Sequence, residues 1–183
     1  MGMCSYPQVY SIGHSSHSEM DFIRLLQLHS IEAVIDVRSR PYSKRVPHFN
    51  HEYLKGLEIK YNIAYYYFGQ QLGGFPNDPD VYSEAGKVVY ERICQKQYFV
   101  DAVNTLLSLP YSKIVLMCSE ENPNACHRAK LIAAYLLRNH GVDTKHILSD
   151  GSLHCESERQ KGHTPSLFEE YSYGTSSKSG RRE

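Results

Sequence analysis

This sequence lacks net charge, tryptophan and any apolar run long enough to cross a bilayer. Lysine plus arginine equals aspartate plus glutamate, 20 each, so the whole molecule offers no electrostatic case for nucleic acid. Its ten histidines tip it cationic only in mild acid. No stretch approaches the roughly 20 apolar residues of a transmembrane helix, and the opening Met1-Gly-Met-Cys-Ser-Tyr6 lacks the pattern of a signal peptide. A disulfide framework is missing too. Five cysteines, an odd number at irregular spacing, fit reduced thiols in a cytoplasm, so a cytoplasmic protein without a membrane partner is expected. Fifteen tyrosines accompany the missing tryptophan, but tyrosine is mostly surface and interface material and excludes nothing.

What is present reads as one ordinary α/β domain of 183 residues, long enough for a real core. Strands are expected at Gln8–Ile12, Ala33–Val37, Ala64–Phe68, Ile114–Met117 and Asp143–Leu148. Between them lie helical stretches. One starts at a capping box, either Ser16/Glu19 or Ser18/Asp21, and buries Phe22, Ile23, Leu25, Leu26 and Leu28. Another covers Phe49–Asn62. Gly86–Leu109 reads as one helix, or as two with a joint near Gln95–Gln97, and Ala129–Gly141 closes on a glycine stop. Strands alternating with helices imply a mostly parallel open sheet of about five strands with helices on both faces, a Rossmann-like fold. The domain should span 1–155, with an insertion at about 75–97. The extension 156–183 should be disordered from about Ser172, where apolar residues run out.

The chemistry concentrates at Ile114-Val-Leu-Met-Cys-Ser-Glu-Glu-Asn-Pro-Asn-Ala-Cys-His-Arg128, a strand–loop–helix junction. Carboxyl ends of strands face the ligand crevice in such sheets, and helix N-termini attract anions. Cys118 beside a helix start and an arginine is a candidate thiolate nucleophile, against the bland reading of a small buried hydrophobe. Glu120 is the candidate acid or base, and His14, after the first strand, a second one. Asp36, inside a strand, reads as a buried partner for an arginine or a backbone amide. His127-Arg128 at the helix start, with Arg38 and Arg40, are the candidate anion-binding residues. From Arg38 to Lys60 there are six basic and two acidic residues. The bland reading is a solvated loop whose cations pair with Glu52 or Glu58. No metal site is expected: seven residues separate Cys118 from Cys126, and adjacent Cys126 and His127 would have to point the same way.

The Ser11-Ile-Gly-His-Ser15 opening, Asp36-Val-Arg38 with Pro41 and Ser43, Leu72-Gly-Gly74, and Cys118-x-Glu120 followed by Cys126-His-Arg128 together resemble the domain of unknown function 488 family. The resemblance covers roughly residues 9–75 and 112–150. It implies a compact α/β domain in bacteria or archaea, with no established reaction to carry over. If the strand order is 3-2-1-4-5, the topological switch lies between the first strand and Ile114–Met117, and His14, Arg38, Cys118, Glu120 and Arg128 should line one pocket. The expected function is an enzyme acting on a phosphate-bearing substrate such as a nucleotide or nucleic-acid end. The alternatives are a non-catalytic nucleotide or nucleic-acid binding module and a protein-interaction domain. Cofactor and oligomeric state are not legible in the residues.

Overall fold

The computed structural model describes residues 6–162. Met1–Ser5 and the residues from His163 on, which include the tail expected to be disordered from about Ser172, lie outside the described residues. The strands are β1 (Gln8–Gly13), β2 (Ala33–Asp36), β3 (Ala64–Tyr67), β4 (Lys113–Cys118), β5 (Lys145–Ile147) and β6 (Leu153–Cys155). They form one sheet in the order β3-β2-β4-β1-β5-β6, parallel except for the antiparallel β5–β6 pair. The 3-2-1-4-5 order is therefore corrected: β4 lies between β1 and β2. A sixth strand joins at the edge.

Alternation along each strand builds two cores. Tyr10, Ile12, Val34, Val115 and Met117 pack under α1 (Glu19–Leu28), α2 (His51–Leu54) and α3 (Leu57–Tyr61). Val9, Ile35, Ile114 and Leu116 pack on the other face. There they meet α4 (Gly69–Leu72), α5 (Tyr90–Ile93), α6 (Gln97–Leu107) and the helix after β4. Fully buried side chains such as Phe22, Leu26 and Phe99 contribute roughly 1.5–3 kcal/mol each.

Local signals explain most boundaries. Ser18 caps α1 by accepting from the Asp21 N–H at 3.1 Å, which selects one of the two capping boxes. Leu28 does not join the buried face; it is 65% exposed. The Phe49–Asn62 stretch is not one helix but breaks between α2 and α3 near Lys55-Gly56. The joint between α5 and α6 falls at 94–96. The helix after β4 starts with a π-helical segment, Arg128–Ala133, continues as α7 (Ala134–His140), and stops at Gly141 with φ +66°, a left-handed conformation glycine adopts without strain. Helix α8 (Glu156–Gly162) follows β6 directly and tucks Glu156 into the interior. Among the described residues no helix is long and apolar enough to cross a membrane.

Candidate functional site

β2 leads into helices on one face and β4 into the helix on the other, so a crevice opens at their carboxyl ends. A cleft of about 440 Å³ occupies it, with Cys118, Cys126 and His127 among its walls and Arg38, Ser39, Arg40 and Glu120 beside them. The far wall comes from Gly74, Phe75, Asn77 and Tyr82, so the stretch after residue 75 helps to shape the cleft. A second hollow along α1, about 550 Å³, is lined by Asp21, Arg24, Gln27 and the Ser149–Asp150 turn. Its polar groups are surface ones.

Two glycines let the walls come together. Gly13 pairs with Cys118 across the sheet, and a Cβ there would collide with the Glu120 carbonyl. A Cβ on Gly74 would press on the His127 ring. Close backbone approach at Gly73 and Gly74 thus accounts for the glycines of Leu72-Gly-Gly74.

The cleft floor is a sulfur–imidazole cluster. Cys118 Sγ lies 3.7 Å and Cys126 Sγ 3.9 Å from His127 Nδ1, and the three donor atoms all fall within 4.8 Å of one another. His127 Nε2 donates to the Val37 carbonyl at 2.9 Å. Against expectation, Cys126 and His127 turn their side chains the same way, because Cys126 is not helical. It sits just before the helix in extended backbone (φ −121°, ψ 142°), so helical spacing does not separate the two side chains. In that cap position its sulfur accepts the Arg128 N–H at 3.5 Å. A hydrogen bond from the Cys118 thiol, aided by His127 and the Arg128 charge, holds Cys126 well below the usual thiol range, although burial opposes this. Cys118, as donor to Cys126 and itself buried, is pushed well above that range. The thiolate-favouring environment expected at Cys118 belongs to Cys126.

Around the mouth, Arg40 and Glu120 are exposed. Among the described residues the Arg40 guanidinium and the Glu120 carboxylate make no hydrogen bond or ion pair. Glu120 therefore does not pair with Arg38 or Arg128.

A family model described as domain of unknown function DUF488 matches residues 20–136. The chain belongs to the DUF488 family. No curated protein and no solved structure matches it significantly. The matched span contains every DUF488 cleft residue named above, from Arg38 to His127, and stops short of His14 on one side and His146 on the other.

Two candidates of this DUF488 domain stand elsewhere than expected. Cys118 is in register with Gly13, and Asp36 with Met117, so His14 and Arg38 turn to the face opposite Cys118. His14 stacks on Phe49 with ring centroids 4.4 Å apart, accepts from Arg38 Nη1 at 3.0 Å and binds the Ser15 carbonyl through Nδ1. Burial, then the Arg38 charge, lowers its pKa from 6.5 to about 4, which makes it a poor base near neutrality. It positions Arg38. That guanidinium is gripped by both Asp36 carboxylate oxygens, at 2.9 and 2.7 Å, and by the Phe49 carbonyl at 2.7 Å. Tyr65 also donates to Asp36. This is the buried partnership the sequence suggested for Asp36.

Arg128 is fully buried. Its guanidinium donates to the Glu120 carbonyl, to the Glu121 carbonyl at 2.7 Å and to Ser11 Oγ at 3.2 Å. It clamps the loop after β4 and does not face the cleft. Ser11 leads on to a network that sequence reading missed. Ser11 Oγ lies 2.6 Å from His146 Nδ1, and His146 Nε2 lies 2.9 Å from Glu156. Glu156 also accepts twice from Arg159. The signal was faint: one serine, one histidine and one glutamate on separate elements, with no spacing to link them.

Proposed function

We propose that this DUF488 protein is an enzyme acting on a phosphate-bearing substrate, such as a nucleotide or a nucleic-acid end, bound in the cleft between the ends of β2 and β4. One arrangement carries the reading. A buried cluster of two sulfurs and an imidazole floors a cleft whose mouth holds a cation, Arg40, with no partner among the described residues. An exposed arginine whose only task is solubility gains little from lining a cleft; here it stands where an anion would enter. Arg40 holds the anion. The Cys118–Cys126–His127 cluster performs the chemistry, and Glu120, exposed at the rim, exchanges protons with substrate or water. His127 contributes from the floor of the cleft, not by holding the anion. Arg128 supports the loop and is left out of the anion contacts.

The test is protection. Pyrophosphate, ADP and a 5′-phosphorylated oligonucleotide should slow alkylation of the Cys118–Cys126 pair and raise Tm. The stabilisation should be about 2.7 kcal/mol at a hundredfold excess over Kd and should weaken with salt. Arg40→Ala should remove most of both effects. Alkylation of the Cys118–Cys126 pair indifferent to all three compounds at low salt would sink the phosphate reading, whereas protection without turnover of any of them would favour a binding module.

A further inference from the structure

We propose that Cys118, Cys126 and His127 bind one divalent ion of the zinc type, leaving a fourth coordination position turned to the cleft. The ion itself stands on the three donors; only the use of its fourth position rests on the enzymatic reading above.

Geometry comes first. Tetrahedral zinc, with Zn–S near 2.3 Å and Zn–N near 2.0–2.1 Å, separates its donors by roughly 3.5–3.8 Å. The two sulfur-to-nitrogen distances are 3.7 and 3.9 Å, and no pair of donors exceeds 4.8 Å. Closing onto an ion needs only rotamer-scale shifts of the two thiols. The imidazole is oriented for the task. Its Nε2–H is fixed on the Val37 carbonyl, so Nδ1 presents its lone pair to the sulfurs, the outer-sphere arrangement that metal-binding histidines adopt. Gly74 lets the backbone press against that ring and hold it. The Arg128 N–H on Cys126 Sγ at 3.5 Å supports a metal-bound thiolate in the same way.

Chemistry then selects the ion. Two sulfurs and a nitrogen with no carboxylate among them suit a borderline or soft metal and disfavour magnesium and calcium, which require oxygen. Three protein ligands beside a cleft match the open arrangement of reactive zinc sites, whereas structural sites close with four. Charge decides what fills the opening. Two thiolates cancel a divalent ion, while Arg128 is buried with no carboxylate partner among the described residues. The remaining positive charge favours an anionic fourth ligand, hydroxide or a phosphate oxygen, on the side where Arg40 stands. The bland alternative is a pair of ordinary buried thiols with a weak S–H···N bond to His127. It accounts for the burial but not for all three donors bordering a solvent-open cleft.

Cobalt replaces zinc in such sites and reports thiolate ligation by its charge-transfer absorption. Reduced protein stripped with chelator should bind a single equivalent of Co²⁺ with those bands, and Zn²⁺ should abolish them and raise Tm. Cys118→Ser and His127→Gln should each weaken binding by more than the roughly 10–100-fold expected for loss of an outer partner. Cys94→Ser and Cys155→Ser, away from the cluster, should leave it unchanged. If Cys126→Ser does not fold, cadmium-113 NMR of the wild type still counts the thiolate ligands. A folded, reduced protein without saturable thiolate–cobalt bands overturns the proposal, as do bands that survive Cys118→Ser. The two readings separate cleanly. Anion protection of the metal-free protein with no cobalt binding removes the ion and keeps the phosphate site. Cobalt binding that pyrophosphate leaves untouched, spectrally and in affinity, keeps the ion and removes the phosphate.

Discussion

Two buried polar clusters share one face of the sheet, and they differ in what they leave unused. In the first, Ser11, His146 and Glu156 are fully buried and chained hydroxyl to imidazole to carboxylate at 2.6 and 2.9 Å. The order is that of a hydrolytic triad, yet every donor meets an acceptor. Arg128 closes one end, and Arg159 with Gln160 closes the other. Substrate has no way in. In the second, Cys118, Cys126 and His127 also converge, but they line a cleft, and the side chains of Arg40 and Glu120 at its mouth have no partners among the described residues. Residue types do not separate scaffold from site here. Unused bonding capacity beside solvent does.

Arg128→Met should break the comparison most severely, because Arg128 belongs to both clusters. It strands the Glu120 and Glu121 carbonyls and removes one of the two hydrogen bonds of Ser11 Oγ, which keeps His146; at roughly 1–3 kcal/mol per unsatisfied carbonyl the loss should be about 2–5 kcal/mol in urea unfolding. A loss below about 1 kcal/mol would show that the loop holds itself.

Acid should act next. His14 is neutral in the fold, with its pKa lowered to about 4 by burial and by Arg38, while Asp36 opposes this and His48 adds to it. The unfolded chain binds the proton from about pH 6.5 downward, so the unfolded state carries more protons between 6.5 and 4. Stability therefore falls across that window, by on the order of 3 kcal/mol. His14→Gln should flatten this part of the curve. Glu156 follows lower down. Burial raises its pKa, but Arg159, His146 and Gln160 outweigh burial and hold it at about 2, so its contribution is lost as pH drops from about 4.5 toward 2.

Glu156→Gln should sharpen the contrast. It weakens the closed network by about 1–3 kcal/mol, read as a drop in Tm, while anion protection of the Cys118–Cys126 pair stays as in the wild type. Altered protection would mean that the two clusters are one functional unit. The smallest change in stability should come from Arg40→Ala, within about 0.5 kcal/mol because its side chain is solvent-exposed. That same variant should lose most of the anion effect.

The sequence alone determined the strand–helix alternation, the strong elements and the place where chemistry concentrates, because burial patterns and caps act locally. Gln8–Gly13, the helix capped by Ser18, Ala33–Asp36 and the strand ending at Cys118 were all legible in this way, as was the joint before Gln97. β6 and α8 were not: Leu153 is exposed, and only Glu156 of α8 is buried, so neither carries an apolar pattern. The meeting of particular atoms was decided by tertiary structure. Inter-strand register put His14 and Arg38 on the face away from Cys118, and parity within one strand says nothing about its neighbour. Extended backbone at Cys126 turned two adjacent side chains onto one point. The missing Cβ of Gly13 admitted the Glu120 carbonyl that helps to bury Arg128, converting an expected anion ligand into a clamp. Such outcomes depend on contacts between residues far apart in the chain, which no local spacing encodes.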